Sequence, residues 1–167
     1  MAQREPSESC RQEGGRIPGT GGQHALTLTM RPGTPPPILL SVPHAGRVYP
    51  AELMQQMRHP ASAGLRLEDR LVDRLAEAVA RETGAALLVA HSPRAMIDLN
   101  RAPDDVDWEM ISGAGAAKRP RLAAGRRARS GLGLVPRRLP GLGELWRRPL
   151  EPAELAERVE HVHPRHD

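Results

Sequence analysis

Two short, nearly unbroken apolar runs, Ile38 to Val42 and Ala85 to Ala90, bracket a segment of helical period. An apolar run without polar alternation reads as a strand buried on both faces, as in parallel or mixed sheets covered by helices. Between the runs, Leu71, Val72, Leu75, Ala76, Val79 and Ala80 recur at helical spacing, with Arg70, Arg74, Glu77, Arg81 and Glu82 on the other face, so a helix is predicted over 68–83. Glu68 and Asp69 would open it, where negative side chains suit the helix dipole, and Gly84 would close it. A third run, Ala95 to Leu99, is read as another strand. Strand, helix and strand in alternation predict an α/β domain with a covered sheet.

Around that centre the pattern is weaker. Residues 1–34 are polar and Gly-rich and lead into Pro35-Pro36-Pro37. They are expected to form a disordered or weakly ordered N-terminal extension, with Met1 to about Gly22 disordered. Within them Ala25 to Met30 alternates weakly and is read as an edge strand. Residues 35–167 form the expected domain. One or two helical turns are predicted over Pro50 to Met57, a turn at Gly131 to Pro136 and a last helix over Glu151 to His163, while Ala114 to Arg129 is read as a solvated helix or loop. Three or four candidate strands are fewer than the roughly five or six usual in such sheets. The sequence therefore predicts a partial domain, truncated at its C-terminal side.

The 167 residues include no Phe, one Tyr (Tyr49) and two Trp (Trp108, Trp146), so the core must be aliphatic. No apolar run approaches the roughly 20 residues of a membrane helix, and Met1 to Pro18 lacks the apolar stretch of a secretory signal. The single Cys10 excludes an internal disulfide framework and a Cys-rich zinc module, and a cytoplasmic location is expected. The net charge of +4 and a pI near 10.4 raise the possibility of a nucleic-acid partner. The excess is almost wholly Arg, without aromatic residues interleaved for base stacking, so nucleic acid is not the expected partner.

Three clusters sit at the ends of apolar segments, where α/β proteins place their sites. His44, in SVPHAG (41–46), suits a metal ligand or a general base, though a lone loop histidine is ordinarily neither. Glu68-Asp69 alone is explained by helix-end electrostatics. Arg94 with Asp98-Leu99-Asn100-Arg101 offers planar donors for a carboxylate, or simply an Asp–Arg pair bracing a turn.

Taken together, the order and spacing of SVPHAG, Tyr49-Pro50, LEDRLVDRLA (67–76), RAMIDLNR (94–101), GLGLVPR (131–137) and Pro164-Arg165-His166 resemble the N-terminal portion of the N-formylglutamate amidohydrolase (N-formylglutamate deformylase) family. The resemblance implies a three-layer α/β/α sandwich around a mixed sheet, of phosphorylase/hydrolase-like architecture and distantly similar to zinc carboxypeptidases. It implies a metal-dependent amidohydrolase that converts N-formyl-L-glutamate, or a related N-acyl amino acid, to formate and L-glutamate, the closing step of one route of histidine degradation. The implied cofactor is a divalent metal, Zn2+ first, and the implied partner is that small molecule. Carried over by position, His44 is a metal ligand and Glu68 or Asp69 the carboxylate ligand, with Glu68 slightly ahead. Asn100 and Arg101 bind the substrate carboxylate, and Arg94 is the catalytic cation that polarises the scissile carbonyl or grips the second carboxylate. The sequence departs from the family in reading PHAG for PHSG and in lacking the later Asp-x-His-Ser motif expected to carry the second ligand histidine. The alternative is then a catalytically inactive remnant. His161 and His163 are read as an exposed terminal helix end, His166 is matched by the resemblance to the family's Pro-Tyr-His motif with Arg165 in place of the Tyr, and His24, His59 and His91 are read as surface residues.

Overall fold

A computed structural model describes residues 9–33, 36–113 and 125–162. Strands β1 (Cys10–Gly14), β2 (Leu26–Met30), β3 (Leu39–Val42) and β4 (Ala86–Ala90) form one mixed sheet in the order β1-β2-β4-β3. β3 and β4 are parallel, and β2 is antiparallel to both β4 and β1. The crossover that a parallel pair requires is made by α1 (Ala51–Gln56), α2 (Pro60–Leu67) and α3 (Val72–Thr83). After β4 come a 3₁₀ turn at Trp108–Met110, the single turn α4 (Arg126–Arg129), a small ribbon of β5 (Arg138–Leu139) with β6 (Gly143–Glu144), and α5 (Pro152–Val162). The α/β class with a mixed sheet, expected from the sequence, is the architecture the chain adopts.

Register explains which residues are covered. Leu40 pairs with Leu87 and Val42 with Val89, so these four share one face of the sheet. Ala76 and Ala80 of α3 pack against that face, and their small size lets the helix lie close to the strands. Leu39 is on the other face, opposite Ala86, and is 54% exposed. The apolar stripe of α3 is thus divided. Its alanines meet the sheet, while Leu75 (64% exposed) and Val79 (39% exposed) face solvent beside it.

The larger core lies beyond the carboxyl ends of β3 and β4 and includes Ile17, Met57, Leu67, Ile97, Leu134 and Trp146. Arg158 of α5 enters it. Its guanidinium donates to the Met96 carbonyl (3.2 Å) and to Gln56 Oε1 (3.3 Å) and lies 5.2 Å from the centre of the Trp146 ring. Burial pulls its pKa down to about 10, which still leaves a cation at neutral pH.

Several sequence expectations are corrected here. The stretch read as one helix from Glu68 opens with a non-helical linker: the preceding α2 ends at Leu67, and α3 starts only at Val72. Leu71 between them has φ 69°, a left-handed conformation that no helical periodicity reveals. Ala95 to Leu99 is not a strand but a buried run of turns, with Met96 N–H donating to the Pro93 carbonyl at 2.8 Å. A short apolar run does not by itself distinguish a strand from a buried loop. Residues 10–22 are not disordered, because β1 pairs along the whole of β2 and Ile17 is buried. β2 is therefore an interior strand, whereas β3, read as interior, is an edge among the described residues. His91 is half-buried and bonded to Thr27 Oγ1 at 2.7 Å. Residues 1–8 and 114–124, and His163 and His166, lie outside the described residues.

Candidate metal and substrate site

Three segments converge at the carboxyl ends of the parallel strands. Pro43 stops β3, and the chain turns through His44-Ala45-Gly46 with all three residues buried. Gly46 is obligatory, because a Cβ there would lie 2.0 Å from the Ser92 carbonyl oxygen. That close approach brings the loop after β3 against the loop after β4. The linker between α2 and α3 joins them through the Asp69 amide, which donates to the His44 carbonyl at 2.9 Å. Backbone contacts, not side chains alone, therefore set His44 beside Asp69.

The side chains form a connected polar group. His44 Nε2 is 2.8 Å from Asp98 Oδ1, and His44 Nδ1 is 3.3 Å from Asp69 Oδ2. Asp98 is fully buried, and it also accepts from Arg94 Nε (2.9 Å) and from the Asn100 amide (3.0 Å), while Arg101 Nε stands 3.7 Å away. Burial alone would raise the Asp98 carboxyl; the His44 hydrogen bond, the Arg94 charge and the Asn100 amide outweigh it and hold the group below the ordinary carboxylate range. Asp98 is thus a carboxylate that fixes the ring of His44 from behind and leaves Nδ1 facing Asp69. That role was not legible in the sequence. His44 and Asp98 are 54 positions apart, and Asp98 read equally well as a turn brace.

The two members of the acidic pair are placed differently. Asp69 is half exposed and turned to His44. The Glu68 side chain is almost fully covered, with Oε2 3.1 Å from Arg70 Nε. Its Oε1 and the buried Tyr49 hydroxyl crowd the Cα of Gly64, so that a Cβ there would come within 3.0 and 3.3 Å of them. Burial, followed by the neighbouring Glu68 charge, raises the Tyr49 hydroxyl above its ordinary value.

Arg94 contacts Asp98 through Nε, and its terminal amino groups make no hydrogen bond among the described residues. Arg101 is more committed: Nε donates to the Leu132 carbonyl (3.1 Å) and a terminal nitrogen to the Asn100 carbonyl (2.9 Å). The Asn100 side chain is exposed. Among the described residues no group of three or more His, Cys, Asp or Glu gathers around one point, so two donors, His44 Nδ1 and Asp69 Oδ2, face each other here. His161 is on the exposed end of α5, its Nδ1 2.9 Å from the Glu157 carbonyl oxygen, and does not join them.

Comparison with known proteins bears on the family and the fold. The family model for N-formylglutamate amidohydrolase matches residues 36–166. The fold is similar to the crystal structure of N-formylglutamate amidohydrolase from Ralstonia eutropha JMP134, with a TM-score of 0.72 and 33% sequence identity over 84% of this chain. The match covers 48% of that protein's chain, so this chain spans about half the length of its structural relative. No curated protein matches it.

Proposed function

Since this chain belongs to the N-formylglutamate amidohydrolase family, we propose that it carries one half of a metal-assisted amidohydrolase site acting on N-formyl-L-glutamate or a related N-acyl amino acid. The reaction is hydrolysis of a linear amide C–N bond, in which water and the N-formyl compound give formate and the free amino acid. One observation carries the reading: His44 Nδ1 and Asp69 Oδ2 lie 3.3 Å apart, with Asp98 bonded to the other ring nitrogen.

That donor set fits a divalent cation. Metal-to-ligand distances of about 2.0–2.2 Å place neighbouring ligands of a four-coordinate zinc roughly 3.3–3.6 Å apart, and a histidine held by a carboxylate behind it is a common metal-binding arrangement. His44 and Asp69 would hold the ion. Glu68, engaged by Arg70 and packed against Tyr49, would serve as the anchor of the linker. When bound, the ion would supply Lewis-acid polarisation and lower the pKa of a coordinated water to about 7.

The chain's own groups account for the rest. Asp98 keeps His44 in one orientation and tautomer. Arg94, fixed at Nε, directs its terminal amino groups to the negative charge that develops on the amide oxygen. Asn100, with what remains of the Arg101 fork, receives the α-carboxylate of the amino acid. A small acidic substrate matches a site with two arginines, and a lone exposed Cys10 suits a reducing, cytoplasmic setting.

The test is formate release from N-formylglutamate in the presence of zinc, with cation binding measured in parallel. His44→Ala is expected to lower zinc affinity at least 100-fold and to abolish turnover. Unchanged binding in that variant would reject the ligand assignment. A second reading, binding without turnover, rests on there being only two facing donors among the described residues. It predicts zinc binding with no formate.

A further inference from the structure

Residues 56–58 and 145–147 run antiparallel and meet at one bridge, with Met57 opposite Trp146. The Arg58 amide donates to the Leu145 carbonyl (2.8 Å) and the Arg147 amide to the Gln56 carbonyl (2.9 Å), so backbone bonds close on both sides of it. Met57 and Trp146 are buried, and the Trp146 indole N–H is fixed on the Pro136 carbonyl at 2.7 Å. Two arginines are thereby mounted on a packed base. Each reaches across the bridge: Arg58 Nε donates to the Trp146 carbonyl (2.8 Å) and Arg147 Nε to the Met57 carbonyl (3.0 Å).

Arg58 and Arg147 line one surface cleft of about 180 Å³, together with Arg137 and Arg148. The four are not equally free. Arg137 is held by three carboxylates, Asp107 and Glu109 at 3.0 Å each and Glu144 at 3.1 Å. Arg148 grips both oxygens of Glu154, at 2.9 and 2.7 Å. Arg58 and Arg147 have no carboxylate partner, and their terminal amino groups make no hydrogen bond among the described residues. Glu109 and Glu144, the acidic residues of the cleft, are both engaged by Arg137. Two cationic forks therefore remain without counter-charge, each pinned at Nε.

We propose that this cleft binds a phosphoryl group, with Arg58 and Arg147 as its two clamps. Guanidinium forks take oxyanions bidentately, and a fork already pinned at Nε loses less freedom when the anion arrives. Two forks held on facing segments suit a tetrahedral group, whose oxygens point in several directions. A planar carboxylate is satisfied by one fork. At about 30 Å³ per water, the cleft has room for one such group and a few waters. The group can come from free phosphate or from a phosphate monoester. None of these residues belongs to the candidate metal site, so the inference stands whether or not that site binds a cation.

The experiment is calorimetric titration of the chain with inorganic phosphate at low ionic strength, repeated with methyl phosphate and with acetate at matched ionic strength. The expected result is saturable one-to-one binding of phosphate with Kd below about 1 mM. Arg58→Gln and Arg147→Gln should each weaken it at least about fivefold. Both residues are exposed, so the circular dichroism of the variants should match that of the parent chain. Arg58→Lys keeps the charge but not the fork, and its binding should stay as weak as that of Arg58→Gln. Arg74→Gln, the same charge change at an exposed position of α3, should leave the affinity as it was. Methyl phosphate binding as well as the inorganic ion would support a monoester as the source, and a preference for the inorganic ion would support free phosphate. Acetate binding as tightly as phosphate would overturn the phosphoryl assignment. Absence of saturable binding, or an equal loss in Arg74→Gln, would overturn the site. So would full affinity in Arg58→Lys, since charge alone would then account for the binding.

Discussion

The two edges of the sheet are built to opposite specifications. β1 presents Arg11, Gln12 and Glu13 to solvent, with Arg11 3.6 Å and His24 3.1 Å from the Glu13 carboxylate. β3 presents Leu39 and an open backbone, flanked by the leucine and valine of α3. Charge on an edge strand discourages further pairing, because an incoming strand would have to desolvate it. By that criterion the described part of the sheet is blunted at β1 and open at β3. The candidate site is at the open side, since His44 lies two residues beyond β3 and Asp69 three before α3.

The largest effect should come from beneath α3. Leu87 is 5% exposed and sits in the small cluster that joins β4 to Val42 and Ala80. Leu87→Ala should cost about 2–5 kcal/mol, read from urea unfolding. A loss below about 1 kcal/mol would mean that α3 is hardly anchored to the sheet, and the open side would then be a loose flap, not a packed layer.

Asp98→Asn comes next, because it leaves His44 and Arg94 without their buried counter-charge. The amide keeps the shape and one acceptor oxygen and Arg94 is partly solvated, so the loss should be about 1.5–3 kcal/mol. The sign of the pH dependence follows from a folded-state pKa lying below the ordinary 3.8. The ionised carboxylate contributes stability above that ordinary value, and the contribution is lost as pH falls through the lower folded value. The gap between wild type and Asp98→Asn should therefore be full at pH 7 and narrow as the solution is acidified below about pH 4. A gap independent of pH would show that packing, not charge, underlies the effect.

The smallest effect belongs to the blunted edge. Glu13 is half exposed in both of its pairs, and surface pairs contribute about 0–1 kcal/mol. Glu13→Ala should change stability by less than about 0.5 kcal/mol in the same urea titration. A loss as large as that of Leu87→Ala would erase the distinction between the two edges.

The sequence revealed the parts whose signals are local. Ile38 to Val42 and Ala85 to Ala90 read as strands because their apolar runs are short and bounded, and Gly84 marked the end of α3 and adopts φ 76° there. His44, Asp69, Arg94 and Asn100 stood out through the motifs that carry them. Less visible was β1, whose polar edge residues have no apolar alternation to read. The division of Glu68 from Asp69 was also hidden, since adjacent acids look alike until one is turned under Arg70 and Tyr49 and the other towards His44.

Hydrophobic period, glycine stops and residue chemistry are properties of neighbours along the chain, and they alone determined the α/β class and the polar residues that collect at the site. Which strand lies at an edge, which half of the α3 stripe is covered and which carboxylate faces the imidazole depend on contacts between distant segments. Those were decided by strand order and by the close passage of Gly46 over Ser92, where three loops meet and only backbone fits.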